Sequence, residues 1–432
     1  MADDEWPVVL LDALDEAARL WRGSAHWRCP DAFPPLRTAH GHKRPRSDGA
    51  GDGEAGAVQA EADLVENEEG LCDRMERAHA RLLRERSGRP CCAAWRLDDP
   101  PAPPATPRVP QLAAMLRAQR CAFPLRRVDA PAPPAPLCPP LLFSSVVANR
   151  AERDAVLVAA GGRWLLPPHS AFALLDMRRW AELAALRPRG GYRAMLLDPP
   201  WHSHSARRAE RYPTLDKREL LDALPVRSLA CASGCLVCAW CTNSRHVQAF
   251  VEGPLFAKWG AAPIARWYWL KLAADGSLAT GTDCRSPHRK PWELLVLGYI
   301  GPSPPPLPRR LVVGSVPLGH HSQKPPLDSL LCACAEHLAS DSAEDKAGAA
   351  VELEAAAVEA CAVGLGGDGC GCGGSAAEAA RARREACWRG LPKCELFARD
   401  VKPTWHAVGD EALRFNDLDA FYAPRPSSRV YE

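Results

Sequence analysis

Short runs of apolar residues, each bounded by turn residues, constrain the fold of this chain most strongly. Polar, partly helical segments separate one run from the next. Strands that are buried on both faces have this pattern, whereas strands that face water alternate apolar and polar residues. We therefore predict an α/β fold with a mostly parallel sheet covered by helices. The runs occupy residues 155–160, 194–197, 234–240, 267–271, 294–298 and 311–313, and the sheet is expected to resume at 394–399.

The first part of the chain is predicted to form a region separate from the α/β domain. Residues 1–99 are acidic and partly helical, with helices expected over 3–22 and 58–86. A short basic cluster at 40–46 fits either a nuclear localisation signal or an ordinary loop.

A proline-rich segment follows, and it predicts a domain boundary. Between residues 100 and 140 there are 13 prolines, which fix φ and remove backbone donors. We therefore assign 100–145 as a linker and 146–432 as the α/β domain. Within that domain, residues 338–386 are rich in Ala, Gly and Glu and predict a low-complexity insertion in a surface loop.

The composition is that of a globular protein. Of 432 residues, 47% are hydrophobic and 25% are charged. No stretch reaches the roughly 18 apolar residues of a membrane span, and the first residues are acidic where a signal peptide would be basic. The 18 cysteines are too few for a disulfide scaffold, so we expect reduced thiols in a soluble, intracellular protein.

The formal net charge of +2 conceals an uneven distribution. Residues 1–100 carry a balance of −6, residues 101–335 carry +14, and residues 336–387 carry −6. A basic centre between acidic flanks fits a domain that binds a polyanion, and it fits an ordinary solvated basic surface equally well.

The tetrapeptide Asp198-Pro199-Pro200-Trp201 directly follows the predicted strand 194–197. A carboxylate at the carboxyl end of a parallel strand lies where open α/β sheets bind ligands. Because proline has no N–H group, we expect the Asp198 carboxylate and the Pro199 carbonyl to remain free hydrogen-bond acceptors beside the aromatic ring of Trp201. They suit a planar group with an –NH₂, such as adenine. The structural alternative is a proline turn capped by a buried tryptophan.

Further motifs follow in order along the chain. Together with the tetrapeptide, this set resembles the eukaryotic adenine-N6 methyltransferases related to the catalytic subunit of the mRNA adenosine methylase, in the methyltransferase-like protein four branch. The resemblance covers about residues 163–421 apart from the insertion. The motifs lie at residues 166–172, 240–243, 267–271, 286–293, 321–326 and 395–399.

The resemblance implies a Rossmann-like class I methyltransferase fold in permuted order, with the catalytic strand before the cofactor-binding strand. It also implies S-adenosylmethionine as methyl donor and N6 of adenine as acceptor. The catalytic tetrapeptide would be Asp198, Pro199, Pro200 and Trp201, with the first two accepting from the amine and Trp201 stacking on the base. Tyr212, Lys290 and Glu293 would contact the substrate, although Tyr212 also fits a loop residue and Glu293 a solvent-facing one.

The same resemblance implies a set of residues that bind the cofactor. Lys324 would lie near the methionine carboxylate, and a carboxylate pair would accept from the ribose hydroxyls. Family members often have Asn at the position of Asp410. The full set is Asp176, Met177, Asp198, Ser322, Lys324, Arg399, Asp410 and Glu411.

Nucleic acid is the expected partner, and the protein is expected to act as a monomer without a membrane. Two basic clusters would contact phosphates at the mouth of the pocket, and a duplexed adenine would have to be flipped out. The clusters are Arg207, Arg208, Arg211, Lys217 and Arg218, and Arg285, Arg289 and Lys290.

Four closely spaced cysteines raise the question of a zinc site. Cys231, Cys235, Cys238 and Cys241 fall within eleven residues, but the last three lie in a predicted strand. Ligands on one extended segment do not easily close a tetrahedron, so we expect buried thiols and no metal.

The expected function is methylation of adenine N6 in RNA, at 2′-O-methyladenosine of small nuclear RNA, in the nucleus or alternatively the cytoplasm. DNA adenine-N6 methylation is the alternative. A non-catalytic nucleic-acid-binding partner is a third reading, and the complete tetrapeptide argues against it.

Overall fold

The structure is a computed structural model. It describes residues 6–11, 68–85, 115–116, 125–130, 136–176, 179–201, 224–273, 275–279, 283–286, 290–317, 323–341 and 376–418. The fold below refers to these residues.

Fourteen strands are formed in the described residues. They are Val8–Leu10 (β1), Arg126–Asp129 (β2), Pro136–Leu137 (β3), Ser145–Asn149 (β4), Ala155–Ala159 (β5), Gly162–Leu166 (β6), Ser170–Leu174 (β7), Ala194–Leu197 (β8), Cys235–Cys241 (β9), Ala262–Lys271 (β10), Trp292–Ile300 (β11), Arg310–Ser315 (β12), Lys393–Leu396 (β13) and Trp405–Gly409 (β14).

The helices that surround the strands are mostly short. They are Glu68–Glu85 (α1), Pro139–Leu142 (α2), Val226–Leu229 (α3), Arg245–Phe250 (α4), Phe256–Trp259 (α5), Asp328–Leu331 (α6), Ala335–Ala339 (α7) and Ala376–Gly390 (α8). Two 3₁₀ turns lie at Trp180–Leu186 and Cys332–Cys334, and a π-helical turn lies at Val251–Leu255.

Eleven of these strands form one sheet in the order β1-β12-β10-β11-β9-β8-β13-β14-β7-β4-β2. The strands from β9 through β7 run parallel, β10, β12 and β1 run parallel to one another, and β11 is antiparallel to both of its neighbours. Side chains on both faces of the sheet are buried in apolar cores, for example Val237 on one face and Leu236 on the other. The prediction of a mostly parallel sheet is confirmed.

The chain order around β8 and β13 defines the switch point of the sheet. From β8 the chain moves to β9 on one side, and from β13 it moves to β14 on the other. The carboxyl ends of two strands that diverge in this way border a crevice, where open α/β sheets bind ligands. β8 precedes β13 along the chain, in agreement with the permuted order that was expected.

The amino-terminal region is part of this sheet, which corrects the prediction of a separate region over 1–99. Val8–Leu10 forms strand β1, parallel to β12, where a helix over 3–22 was predicted. Val8 and Val9 are buried on opposite faces, which is the alternation of a strand. Helix α1 confirms the prediction for 58–86 over its described part, and Leu82 packs where Gly314 of β12 leaves room.

The proline-rich segment also contributes to the fold, so its assignment as a linker is wrong where it is described. Strand β2 forms the far edge of the sheet by pairing with β4. Strand β3 pairs with β5, and β5 pairs with β6, in a second, three-stranded sheet. The run 155–160 is therefore a strand of this small sheet and not of the main one. Prolines at the ends of short edge strands are compatible with such pairing.

The predicted insertion is ordered at both described ends. Leu338, in α7, is fully buried, and residues 376–386 belong to helix α8. Trp388 of α8 donates its indole N–H to the Asp328 carboxylate at 2.8 Å. The same carboxylate accepts the indole N–H of Trp405 at 2.9 Å. A surface loop over the whole of 338–386 is thus wrong, because Leu338 is buried in a helix and residues 376–386 are helical. Residues 342–375 lie outside the described residues.

No helix within the described ranges has the length and apolar character needed to cross a membrane.

Candidate active site

Asp198 lies at the switch point, directly after β8. Its backbone N–H donates to the Leu396 carbonyl of β13 at 3.3 Å, which holds the carboxylate over the crevice. The side chain accepts from Arg399 Nη1 at 3.0 Å, and Lys324 Nζ lies 3.3 Å from its other oxygen. Asp198 is 8% exposed, so these charge-assisted contacts form in a largely desolvated site.

Arg399 reaches Asp198 through an unusual backbone turn. Phe397, the residue after β13, has φ of 61°, the left-handed region that a bulky residue rarely adopts. Gly409 of β14 lies against the same turn, and a Cβ at that position would come within 2.8 Å of the Ala398 carbonyl. Backbone strain of this kind is concentrated at functional sites, where the surrounding structure enforces it.

Glu293 provides a second carboxylate at the same edge. β11 is antiparallel, so its first residues lie beside the carboxyl ends of β9 and β10. Glu293 pairs with Lys271, the last residue of β10, and accepts from Lys324 Nζ at 2.8 Å. The prediction had left open whether Glu293 faces solvent; its side chain is 22% exposed and lies in this cluster.

Five side chains therefore form one row of alternating charge, which we call the ion row: Lys271, Glu293, Lys324, Asp198 and Arg399. Lys324 is shared by the two carboxylates. Burial opposes ionisation of Glu293, but the charges of Lys324 and Lys271 outweigh it and hold the pKa of Glu293 well below its usual range. Burial alone would lower the pKa of Lys324, but the negative charges of Asp198 and Glu293 outweigh burial, so the pKa of Lys324 is raised.

Tryptophans lie along the ion row. Trp201 donates its indole N–H to the Trp240 carbonyl at 2.8 Å and is 7% exposed. The Lys324 ammonium lies 5.5 Å from the centre of the Trp240 ring, and the Trp240 and Trp269 rings meet edge to face at 6.1 Å. The Pro199 carbonyl accepts the Trp201 backbone N–H at 2.8 Å, so the expectation that this carbonyl lacks a local donor is wrong. One lone pair remains on that oxygen.

Not all predicted site residues join the ion row. Lys290 instead donates to the Cys284 carbonyl at 3.1 Å and lies 3.6 Å from Cys72 Sγ of α1. Arg285 pairs with Asp73 and Glu76 of α1. The following predicted residues lie outside the described part of the chain: Met177, Arg207, Arg208, Arg211, Tyr212, Lys217, Arg218, Arg289 and Ser322.

Two residues predicted to bind the cofactor lie beyond the ends of β7 and β14. These strands are neighbours and parallel, so Asp176 and Asp410 follow adjacent carboxyl ends. Glu411 pairs with Arg414 at 2.6 Å, within its own turn. A carboxylate at the end of β14 and the cations of the ion row thus flank the crevice on both sides of β13.

The clustered cysteines lie on two sides of the sheet. Cys235 and Cys241 face one core, and Cys238 faces the other. Burial raises the pKa of all three thiols. Their side chains therefore cannot converge on one ion.

Sequence reasoning missed Lys271, which was recognised as part of a strand but not as a site residue. A charged residue that ends an apolar strand run at the ligand-binding edge was the available signal.

The sheet with its switch point, and a crevice lined by carboxylates and cations, define a Rossmann-like α/β fold of the methyltransferase class. The MT-A70 family profile matches residues 192–347, which include the whole ion row except Arg399. Over these residues the chain is similar to the MT-A70 family, and among curated proteins it is similar to the METTL4 methyltransferases.

Several curated proteins are similar to this chain over longer or overlapping stretches. N(6)-adenine-specific methyltransferase METTL4 of Mus musculus is 28% identical over 65% of this chain and 50% of its own length. N6-methyladenosine RNA methyltransferase MTA1 of Pyricularia oryzae is 33% identical over 40% of this chain and 48% of its own. A DNA N6-methyl methyltransferase of Caenorhabditis elegans is 31% identical over 40% of this chain and 46% of its own length. The chain spans about half the length of these relatives.

Proposed function

We propose that this protein transfers a methyl group from S-adenosylmethionine to N6 of adenine in RNA, in the nucleus. The observation that carries the proposal is the pair of carboxylates at one edge of the sheet, Asp198 after β8 and Glu293 in β11, both held by cations. Ionised carboxylates are acceptors only, and an exocyclic amine offers two N–H donors. The match of residues 192–347 to the MT-A70 family, and the similarity to proteins named as N6-adenine and N6-methyladenosine methyltransferases, support the same reaction.

Asp198 is suited to activate the amine. The nitrogen lone pair of adenine N6 is delocalised into the ring, so the amine becomes a nucleophile when acceptors hold its N–H bonds in the geometry of the transition state. Each Asp198 oxygen has two acceptor sites, and its contacts with Lys324 and Arg399 leave room for a further donor. The transfer releases one proton from the amine, and the Asp198 carboxylate would receive it.

The donor set of the crevice fits S-adenosylmethionine. Lys324, a cation on the crevice side of the sheet, would pair with the methionine carboxylate, and Asp410 and Asp176 would accept from hydroxyl and amine groups. Arg399 would hold the cofactor-binding loop after β13. When bound, the cofactor supplies an electrophilic methyl group on a sulfonium centre.

Lys324→Met tests the fit to the cofactor. We expect this variant to bind S-adenosylmethionine ten- to a hundredfold more weakly in calorimetry, because a charge-assisted hydrogen bond contributes about 1.5–3 kcal/mol. Lys258→Met, which removes a charge from the exposed side of α5, is the matched control. Unchanged affinity in a folded Lys324→Met protein would contradict the assignment.

The substrate itself is tested by tritiated methyl transfer to four polymers in parallel. We propose RNA that carries 2′-O-methyladenosine, as in small nuclear RNA, and therefore expect this RNA to be methylated faster than unmodified RNA and than single- or double-stranded DNA. Preference for DNA would favour the alternative suggested by the C. elegans relative. Absence of transfer to all four, with cofactor binding intact, would indicate a non-catalytic binding protein.

A further inference from the structure

Lys271 is held in place from two sides. Its ammonium lies 4.8 Å from the centre of the Trp269 ring, and the Trp269 indole N–H donates to Ser315 Oγ of the neighbouring strand at 2.8 Å. On its other side the ammonium pairs with Glu293. Lys271 ends strand β10, which lies between β11 and β12, so its backbone is fixed by the sheet. Its side chain is 13% exposed.

The second cation on Glu293 is placed differently. Lys324 lies in the segment between β12 and α6 and divides its contacts between Glu293 and Asp198, at 2.8 and 3.3 Å. In the function proposed above, Lys324 also serves the methionine carboxylate of the cofactor. A lysine that takes on a third anion weakens its hold on the first two. When Lys324 binds the cofactor, Lys271 is the cation of the ion row that still pairs with Glu293 alone.

We propose that Lys271 is a positioning residue for methyl transfer, which keeps Glu293 ionised and oriented as an acceptor for the adenine base while Lys324 serves the cofactor. The inference rests on the proposed function and adds a residue that neither the tetrapeptide nor the cofactor set contains. Lys271 acts through Glu293 and does not itself touch the base.

The local electrostatics explain why such a residue is needed. Glu293 lies in a largely desolvated site, where a carboxylate without a partner binds a proton and becomes a donor. The groups that face it are Lys271 from β10 and Lys324 from the segment after β12, with Asp198 and Arg399 next along the ion row. Both lysines contribute to the low pKa of Glu293, so removal of Lys271 raises it.

The test compares Lys271→Met with Lys271→Arg in full-length protein. Met keeps the length of the side chain and removes its charge, whereas Arg keeps the charge. We expect Lys271→Met to lower kcat roughly ten- to hundredfold, a typical effect for a residue that orients a functional group. Lys271→Arg should recover most of the activity, and Lys258→Met should equal wild type. Cofactor affinity should change less than threefold in Lys271→Met.

Two further measurements separate positioning from a merely structural role. In a double-mutant cycle, Lys271→Met should have little additional effect on kcat in a Glu293→Gln background, because its target is already neutral. The pH profile should also differ. As the pH is lowered, Lys271→Met should lose activity at a higher pH than wild type does, because the raised pKa of Glu293 lets the carboxylate bind a proton at that higher pH. Wild type should remain flat through this range.

Each outcome decides the inference. If wild type transfers methyl groups and Lys271→Met retains wild-type kcat, or if its effect adds fully to that of Glu293→Gln, the positioning role is wrong and the proposed function stands. If Lys271→Met lowers kcat with no change in the pH profile, the lysine supports the sheet and not the carboxylate. If wild type transfers no methyl group to any of the four polymers, both proposals fail.

Discussion

Asp198→Asn is expected to lower kcat for methyl transfer by about a thousandfold or more. The asparagine side chain keeps the shape of the carboxylate but loses its charge and presents an –NH₂ group where the amine of adenine needs an acceptor. Removal of a single preorganised group that stabilises the transition state costs about 10²–10³ in rate, and the proton acceptor is lost as well. The tritium transfer assay at saturating cofactor and RNA measures the effect.

The control for this variant is Asp129→Asn, which also breaks an ion pair with an arginine, Arg150, but at an exposed edge. It should retain wild-type activity. Asp198→Asn leaves Lys324 and Arg399 with fewer anions, so thermal unfolding and cofactor calorimetry are needed to show that the variant is folded and binds. A folded, cofactor-binding Asp198→Asn protein within tenfold of wild-type kcat would overturn the assigned chemistry.

Val9→Asp is expected to destabilise the whole domain by about 3–5 kcal/mol, the usual cost of an unpaired buried charge. Val9 lies in β1, is 3% exposed, and packs into the same core as residues of β12 and β10. If residues 1–99 formed a separate region, the substitution would leave the domain unaffected. Urea unfolding, compared at equal m-values, measures the difference.

A matched substitution exists on the opposite edge of the sheet. Val128 of β2 is half-buried, and an aspartate at that position can reach water. Val128→Asp should therefore cost less than about 1 kcal/mol, because substitutions near the surface have small effects on stability. Equal stability of Val9→Asp and wild type would show that β1 does not contribute to the core in solution.

Much of the central sheet could be predicted from the chain alone. The apolar runs at 194–197, 234–240 and 294–298 each lie in or overlap a strand, because burial on both faces requires apolar side chains at successive positions. The segment 394–399 is a strand only as far as Leu396. The partners and directions of these strands could not be read in this way. Nothing in the run at 294–298 indicates that β11 is antiparallel, since its apolar pattern is the same in either direction.

The amino-terminal part shows the limit of periodicity. Apolar spacing predicted a helix over 3–22, and residues 8–10 form a strand whose partner is about 300 positions away. A three-residue segment is too short for its own sequence to decide between the two structures. Its conformation is decided by the unpaired edge of β12 and by the stack of Trp6 on Tyr268, with ring centres 5.3 Å apart.

By itself, the sequence predicted the candidate site: Asp198 from its place directly after an apolar strand run, and Glu293, Lys324 and Arg399 from motifs that resemble those of a known family. The tertiary structure alone decided how these charges are shared. It brought Lys271 to Glu293, placed Lys324 between two carboxylates, and filled one lone pair of the Pro199 carbonyl. The physical reason is that ion pairing depends on distances of a few ångström between strands far apart in sequence, which no local pattern encodes.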